Sequence, residues 1–403
     1  MQPIHSHQHE FQPPSGYSWR DLGDRETTLK NAKNHLQAAV YLELLTIPAY
    51  LYAVHSVKSS SAAVKADIMH VVKEEMLHLA LAGNTLCSIG GKPRLYCDDI
   101  VPEYPRDMLY RKIPLSLNSA NKETIGKFME LERPEPPMFA LRSNAEFDTY
   151  NSIGAFYDAI VQMLESLQRG GTPFIPETKD RQFREGDGSW DEGKLSVVED
   201  IDSAKLAIKT IVDQGEGSMQ KPAMPAPNDD APPSHFQVFE RLYNAASQAD
   251  CYPVLENPKT SKFDNEDFKK VHKVLLLSDA VYCYLLITIE RMWDPEFTGK
   301  REELVENNLM RLMTRVITPL ARFLTQEKGP DNRCFAPFFN FYDFSKSEKA
   351  CHDQLVDLMD DAIKAYEGDA AKKQQLTKIS EEYVKKLIPL QPYCHRPGSK
   401  PAA

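Results

Sequence analysis

Two stretches decide the fold of this chain, 42-LELLTIPAYLY-52 and 74-EEMLHL-79. The first belongs to a segment whose apolar residues recur every three or four positions, the spacing of one face of an α-helix. These residues are Leu29, Leu36, Val40, Ile47, Leu51 and Val54. Glu43 lies three residues after Val40 and four before Ile47, so its carboxylate is expected on the apolar face. The pattern predicts a helix over residues 25–55 with one acidic side chain inside the protein.

The second stretch belongs to a predicted helix over residues 62–89, which ends at 90-GGKP-93. Glu75 and His78 share a face because residues three apart are neighbours on a helix, whereas Glu74 is expected to be solvated. A buried, unpaired carboxylate costs several kcal/mol, so Glu75 and Glu43 need a cation or a hydrogen-bond network. Glu-x-x-His with a further Glu from a neighbouring helix is how some four-helix bundles bind iron or manganese. A lone Glu-x-x-His is more often a solvated pair.

A second pair of candidate ligands follows later in the chain. Glu216 lies at the end of a predicted helix that begins near residue 197, and His235 begins the next one. The segment between them is rich in proline, which prevents helix continuation, so residues 217–234 are expected to form a surface loop. If this segment loops out, Glu216 and His235 could meet at one site, as the two residues of a Glu-x-x-His motif do on one helix. Asp158 and Glu165, on a predicted helix over 152–169, are weaker candidates because neither lies on its apolar face.

The remaining pattern is helical and predicts two blocks. Residues 92–145 have weak periodicity and are expected to form loops with short helical pieces. Four further helices are expected after residue 262, and no apolar alternation indicates a strand. The fold class is therefore all-α, with a metal-binding four-helix bundle over 25–245 and a C-terminal helical domain over 262–390.

Charge and composition limit the partners and the compartment. The net charge of −10 argues against nucleic acid or an anionic membrane as partner. The most apolar stretch, 36–57, contains Glu43, Pro48 and His55 and is not expected to span a membrane. The first residues lack the pattern of a signal peptide. Seven cysteines without a Cys-x-x-Cys pair are expected to be reduced, as in a cytoplasmic protein.

The motifs occur in an order that resembles a known family. The chain resembles the ferritin-like family of iminophenyl-pyruvate dimer synthases, which includes dimer-forming enzymes of violacein and rebeccamycin biosynthesis. The resemblance covers about residues 25–245 and extends loosely through 263–340. Its segments are 42-LELLTIPAYLY-52, 74-EEMLHL-79, 153-IGAFY-157, 214-QGEGS-218 and 234-SHF-236.

The resemblance implies a ferritin-like bundle whose metal ligands match Glu43, Glu75, His78, Glu216 and His235. His78 is expected to bind as neutral imidazole, its other ring nitrogen held by an acceptor. Ala155 stands where the family usually has Glu, which leaves open whether one or two ions are bound. The implied cofactor is iron, with manganese as the alternative.

The implied function is that of a non-haem iron-dependent oxidoreductase. Its expected substrate is a small aromatic or amino-acid-derived metabolite of specialised biosynthesis, and oxidative coupling of two imines is one specific reaction. Two alternatives stay open, namely iron storage and a metal-poor protein that binds a ligand or a partner. A homo-oligomer is compatible with each. Four aromatic residues near the expected ligands either line a pocket or, as is more common, form core; they are Tyr50, Phe156, Tyr157 and Phe239.

Overall fold

The structure is a computed structural model of the 403-residue chain. It describes residues 24–107, 113–134, 153–188, 194–215, 232–245 and 248–393. The expected ligand Glu216 and nearly all of the proline-rich segment 217–234 lie outside these ranges, so both predictions stay predictions. Of Ala155 only the helical backbone is described.

Helices form almost all of the regular structure in the described residues, as expected for an all-α chain. The helices are α1 (Arg25–Ser56), α2 (Ala62–Ser88), α3 (Lys122–Leu131), α4 (Ile153–Arg169), α5 (Ile201–Gly215), α6 (His235–Tyr243), α7 (Lys269–Met292), α8 (Arg301–Leu304), α9 (Thr318–Leu324), α10 (Cys351–Ala365) and α11 (Ala370–Glu382). Two strands, β1 (Arg106–Asp107) and β2 (Pro114–Leu115), pair antiparallel. Short 3₁₀ turns lie at Ser59–Ser61, Pro176–Arg181, Thr260–Phe263, Pro295–Lys300, Pro330–Asn332, Phe344–Lys346 and Val384–Lys386.

Local sequence explains where the site-bearing helices begin. The Asp24 side chain accepts a hydrogen bond from the backbone N–H of Thr27 and caps α1. At the start of α6, Ser234 and Gln237 form a reciprocal capping box, which satisfies two backbone donors that a helix end leaves unpaired. This box fixes the position of His235, the first residue of α6.

Four helices form the N-terminal bundle. Helices α1 and α2 pack along their length and run antiparallel, since Glu43 faces His78 and Thr46 faces Glu75. Helix α4 packs against α1, α5 packs against α2, and α4 and α5 pack against each other. The short helices α3 and α6 pack together, and α6 also contacts α2 and α5. Side chains from the four long helices therefore meet between α1 and α2 on one side and α4 and α5 on the other.

The C-terminal helices are centred on α7, which packs against α10. Between α8 and α9 the chain forms two consecutive π-helical segments, Val305–Met310 and Leu312–Ile317. The indole N–H of Trp293, just after α7, donates to Asn84 on α2 at 3.0 Å. One continuous cluster of buried apolar side chains includes both halves of the chain. The division into domains at 245 and 262 stays a prediction.

Two helices, α1 and α7, are long and apolar enough to cross a membrane by length and composition alone. In α1, 94% of the most apolar window is buried inside the protein, and in α7 83%. Burial against other helices accounts for their apolar character, as in the core helices of many proteins.

One cysteine among the described residues differs from expectation. Cys97 is disulfide-bonded, whereas five others are free thiols: Cys87, Cys251, Cys283, Cys334 and Cys351. The expectation of seven reduced cysteines was wrong, because sequence spacing does not show which distant Cβ atoms approach within bonding distance. The cytoplasmic location, which rested partly on reduced thiols, stays a prediction.

Candidate metal centre

A buried cluster of four carboxylates and two imidazoles lies inside the N-terminal bundle. Each of these side chains belongs to a residue that is at most 7% exposed. They come from α1, from α2, from the residue that follows α3, and from the start of α6. We call this set the carboxylate–histidine cluster; its members are Glu43, Glu74, Glu75, His78, Glu132 and His235.

The first half of the cluster joins α1 to α2. Ligand atoms of Glu43, Glu75 and His78 all lie within 4.8 Å of one another. The Nδ1 atom of His78 lies 3.6 Å from a carboxylate oxygen of Glu43. Two hydroxyls orient the acids: Tyr157 donates to Glu43 at 2.5 Å, and Thr46 donates to Glu75 at 2.7 Å. The three donor groups thus face a common point, and hydrogen bonds from Tyr157 and Thr46 hold the two carboxylates in place.

The second half joins α2 to the ends of α3 and α6. Ligand atoms of Glu75, Glu132 and His235 also lie within 4.8 Å of one another. The Nδ1 atom of His235 lies 2.9 Å from Glu75 and 3.7 Å from Glu132. The hydroxyl of Tyr50 donates to Glu132. Glu75 belongs to both halves, which is the position of a carboxylate that bridges two ligand sets.

A glutamine fixes the tautomer of His78. The amide N–H of Gln214, on α5, donates to Glu74 at 2.5 Å, because a carboxylate only accepts. The Gln214 oxygen then faces Nε2 of His78 at 3.1 Å, so Nε2 carries the proton. This leaves the lone pair of His78 on Nδ1, the nitrogen that faces Glu43. Gln214 therefore occupies the position of the acceptor that was expected for the other ring nitrogen of His78, Nε2.

Glu74 is buried, so the expectation that it is solvated was wrong. It is 1% exposed, and one of its oxygens lies 3.2 Å from Nε2 of His235. Its other close neighbours are Nε2 of His70 at 3.6 Å and Nζ of Lys194 at 3.9 Å. The reason is that α2 is surrounded: α1, α5 and α6 all pack on it, so adjacent residues face different neighbours and both are buried. A helix that is apolar nearly all round signals such burial.

Protons compete with any metal cation for the nitrogens of the two imidazoles. Burial opposes the charged form of His235, but Glu132, Glu74 and Glu75 together hold its pKa well above the ordinary 6.5. Burial likewise lowers the pKa of His78, and the carboxylates of Glu43 and Glu75 outweigh it, so that pKa is also raised. Burial raises the pKa of Glu75. The cluster therefore attracts positive charge strongly.

The donor set fits metal ions. Both ring nitrogens of His235 are within 3.2 Å of carboxylate oxygens, yet among the described residues neither makes a hydrogen bond of good geometry. One oxygen of Glu74 is also without a hydrogen-bond partner there. Buried polar atoms are rarely left unpaired. When both imidazoles are in the neutral form that binds metal, the four carboxylates carry the charge that two divalent cations would balance, and such oxygen and nitrogen donors suit iron or manganese.

Comparison with known proteins agrees with this architecture. The ferritin-like family model matches residues 36–244, which is more than half of the chain and spans α1 to α6. The chain belongs to the ferritin-like family.

Two curated relatives of this ferritin-like chain are distant enzymes. It is 24% identical over 315 residues to dichlorochromopyrrolate synthase from Lentzea aerocolonigenes, and 22% identical over 327 residues to 2-imino-3-(indol-3-yl)propanoate dimerase from Chromobacterium violaceum. These matches cover 70% and 71% of this chain but 30% and 31% of the relatives, so the chain spans under a third of their length.

A solved ferritin-like protein from Caulobacter vibrioides also resembles the chain. The two are 22% identical, and the match covers 73% of this chain and 95% of that one, with a TM-score of 0.49.

The carboxylate–histidine cluster contains four of the five expected ligands and two further residues. Glu43, Glu75, His78 and His235 converge as described above, while Glu216 lies outside the described residues. Sequence reasoning missed Glu132 along with Glu74. Glu132 lies four residues after Phe128 and seven after Ile125, in line with the buried face of α3, and this acidic interruption of an apolar stripe was the available signal.

The aromatic residues near the cluster form a packed group. The rings of Tyr50, Phe128 and Phe239 lie 4.6 to 5.4 Å apart, and Phe156 lies edge-on to Tyr157. All five are fully buried, as expected for core. Two of them, Tyr50 and Tyr157, also donate to cluster carboxylates, so the same rings that fill the core position the ligands.

Proposed function

We propose that this chain is a non-haem iron-dependent oxidoreductase that acts on a small aromatic or amino-acid-derived metabolite. The observation that carries the proposal is Glu75, whose carboxylate belongs to two groups of three donor side chains. A shared carboxylate between two such groups is the arrangement of dinuclear carboxylate bundles. Bound iron would supply the redox chemistry, passing electrons from substrate to dioxygen or peroxide.

The chain itself supplies position, protonation state and exclusion of water. Gln214 keeps the Nδ1 lone pair of His78 available, and Tyr157 orients Glu43. Outer partners of this kind typically change metal affinity by about 10–100-fold when removed. Because the cluster residues are at most 7% exposed, bulk water is kept from the reacting centre.

The names of the relatives support a substrate class. One is a synthase of dichlorochromopyrrolate and the other a dimerase of an indole-bearing imino acid. By extension from these relatives, we propose that the reaction is the oxidative coupling of two aromatic imino acids. A bond forms between the two molecules, which lose two protons, and two electrons pass to dioxygen or peroxide.

The test uses purified chain reconstituted anaerobically with Fe²⁺ and then given 2-imino-3-(indol-3-yl)propanoate, generated in place from tryptophan by an amino-acid oxidase. After the oxidase is removed, we expect dioxygen uptake and a coupled product whose mass is twice that of the monomer less two hydrogens, both lost in Glu75→Gln. Glu123→Gln, on the exposed face of α3, is the matched control and should retain both. Iron binding without dioxygen uptake or product would overturn the assigned reaction, and no iron binding would overturn the site.

A further inference from the structure

A second candidate site lies on another side of the α1–α2 hairpin. A cavity of about 210 Å³ lies between these two helices, α7 and the π-helical segments. No residue of the carboxylate–histidine cluster lines it. Leu44 and His55 both line it and are eleven residues apart on α1, so the cavity extends about 16 Å along that helix. Its lining is almost entirely aliphatic, aromatic and methionine side chains.

The walls of the cavity are adaptable. Four methionines line it: Met69 and Met76 from α2, and Met310 and Met313 from the π-helical segments. Methionine side chains are unbranched and polarizable, and they adjust to ligands of irregular shape. π-Helical turns are rare and occur frequently at functional sites. This combination is typical of a surface that accepts a flexible apolar chain.

Two buried polar atoms in the lining have no hydrogen-bond partner among the described residues. They are Nε2 of His55 and the hydroxyl of Tyr282, on residues that are 8% and 4% exposed. Burial lowers the pKa of His55 to about 3, and the positive charges of Lys65 and Arg322 add to the effect, so the imidazole is neutral. An occupant that carries oxygen would satisfy such atoms, whereas a pure hydrocarbon would not.

Cationic side chains lie near the His55 end of the cavity and along its wall. Lys65 and Arg322 lie close enough to influence His55, and Lys73 lines the cavity itself. None of the three forms an ion pair within the described part of the chain. Thr314 and Thr318 line both this cavity and an adjoining surface groove of about 470 Å³ that contains Arg315, Arg322 and Lys378. An apolar cavity thus opens beside a basic surface on a protein whose net charge is −10.

We infer that this cavity binds a long-chain carboxylic acid. Its hydrocarbon chain lies along α1 among the methionines, and its carboxylate lies at the His55 end against Lys65 and Arg322. Burial of the chain provides most of the binding free energy, and the cations select for the acid over neutral molecules of the same length. The site is separate from the proposed metal centre.

Dodecanoate is the probe, and isothermal titration calorimetry on the full chain is the measurement. We expect saturable binding of one molecule per chain, weakened by about tenfold or more for dodecanol, which has the same chain without the charge. The double variant Lys65→Gln/Arg322→Gln should weaken dodecanoate binding by a similar factor. Lys30→Gln removes an exposed lysine from the far end of α1 and should leave the affinity unchanged.

Two further arms test whether dodecanoate binds in the cavity and away from the metal centre. Met313→Trp fills the cavity from a half-buried position and should abolish binding, with unchanged circular dichroism showing that the variant folds. Chelator-treated protein should bind dodecanoate as well as untreated protein, since a carboxylate at the metal centre would need the metal. Absence of saturable binding, equal affinity for acid and alcohol, or loss on chelation would overturn the inference and leave the proposed oxidoreductase untouched.

Discussion

Nε2 of His78 lies 3.1 Å from the side-chain oxygen of Gln214, whose nitrogen donates to Glu74. One amide therefore sets the tautomer of one cluster member and neutralises part of the charge of another. The relationship joins α2 to α5 and makes Gln214 a positioning residue for the proposed metal site.

Gln214→Leu should therefore weaken metal binding without unfolding the bundle. The variant removes the acceptor for His78, so the tautomer with the proton on Nε2 loses its preference, and affinity for Fe²⁺ should fall by about 10–100-fold. Competition with a chromophoric chelator measures this affinity. Gln168→Leu, an exposed glutamine on α4, is the matched control. Equal affinities for Gln214→Leu and unmodified protein would show that the amide does not orient the ligand.

Glu43→Leu should stabilise the metal-free protein while removing metal from the first half of the cluster. Replacing a crowded buried carboxylate by an apolar side chain relieves desolvation and repulsion from Glu75, a gain of about 1–2 kcal/mol in the free energy of unfolding. Thermal unfolding of chelator-treated samples measures it. A lower midpoint for Glu43→Leu would mean that its hydrogen bond from Tyr157 outweighs the cost of the charge.

Asp279 should make stability depend on pH between about 4 and 7. Burial on α7 raises the pKa of this carboxyl from 3.8 to about 7, despite hydrogen bonds from Thr260 and Asn340. In this window the folded state keeps the proton that the unfolded state has released, so stability falls as pH rises and then stays level above pH 7. The loss is of the order of a few kcal/mol.

Asp279→Asn should remove that slope and be more stable than the unmodified chain at pH 8. Urea unfolding at pH 5 and pH 8 measures the difference between the two proteins. Asp353→Asn, an exposed acid at the start of α10, controls for the change in net charge. The same pH slope in Asp279→Asn and unmodified protein would show that Asp279 is ionised in the folded state.

Gly83→Ala should destabilise the contact between α2 and the end of α7. A Cβ at this position would overlap the ring of Trp293, which is held by its hydrogen bond to Asn84. Overpacking of this kind costs about 1–3 kcal/mol. Gly299→Ala is the control because a Cβ there meets open space. Equal thermal midpoints for the two variants would show that the indole moves freely.

Sequence periodicity predicts the long helices well and the irregular ones poorly. The predicted ends of α1 and α2 agree with the structure to within one residue, because both carry clear apolar stripes and stop signals. One of the four helices expected after residue 262 instead contains two π-helical segments, which arise from a shift in hydrogen bonding that apolar spacing does not encode.

The candidate site follows the same rule. Glu43, Glu75 and His78 could be found because each interrupts an apolar stripe on a long helix. Glu132 ends a short helix in a weakly periodic region, and Glu74 is buried only because three helices surround α2. Those facts depend on tertiary packing, which a single sequence shows only indirectly.

The iron-to-chain ratio after anaerobic reconstitution and desalting tests the central claim most directly. Two ligand groups that share Glu75 should hold about two iron ions per chain. Glu132→Gln should lower the ratio by about one, Glu75→Gln should remove most of the iron, and Glu123→Gln should leave the ratio unchanged. A ratio near zero in the unmodified protein, or an equal ratio in Glu75→Gln, would contradict a metal centre at this cluster.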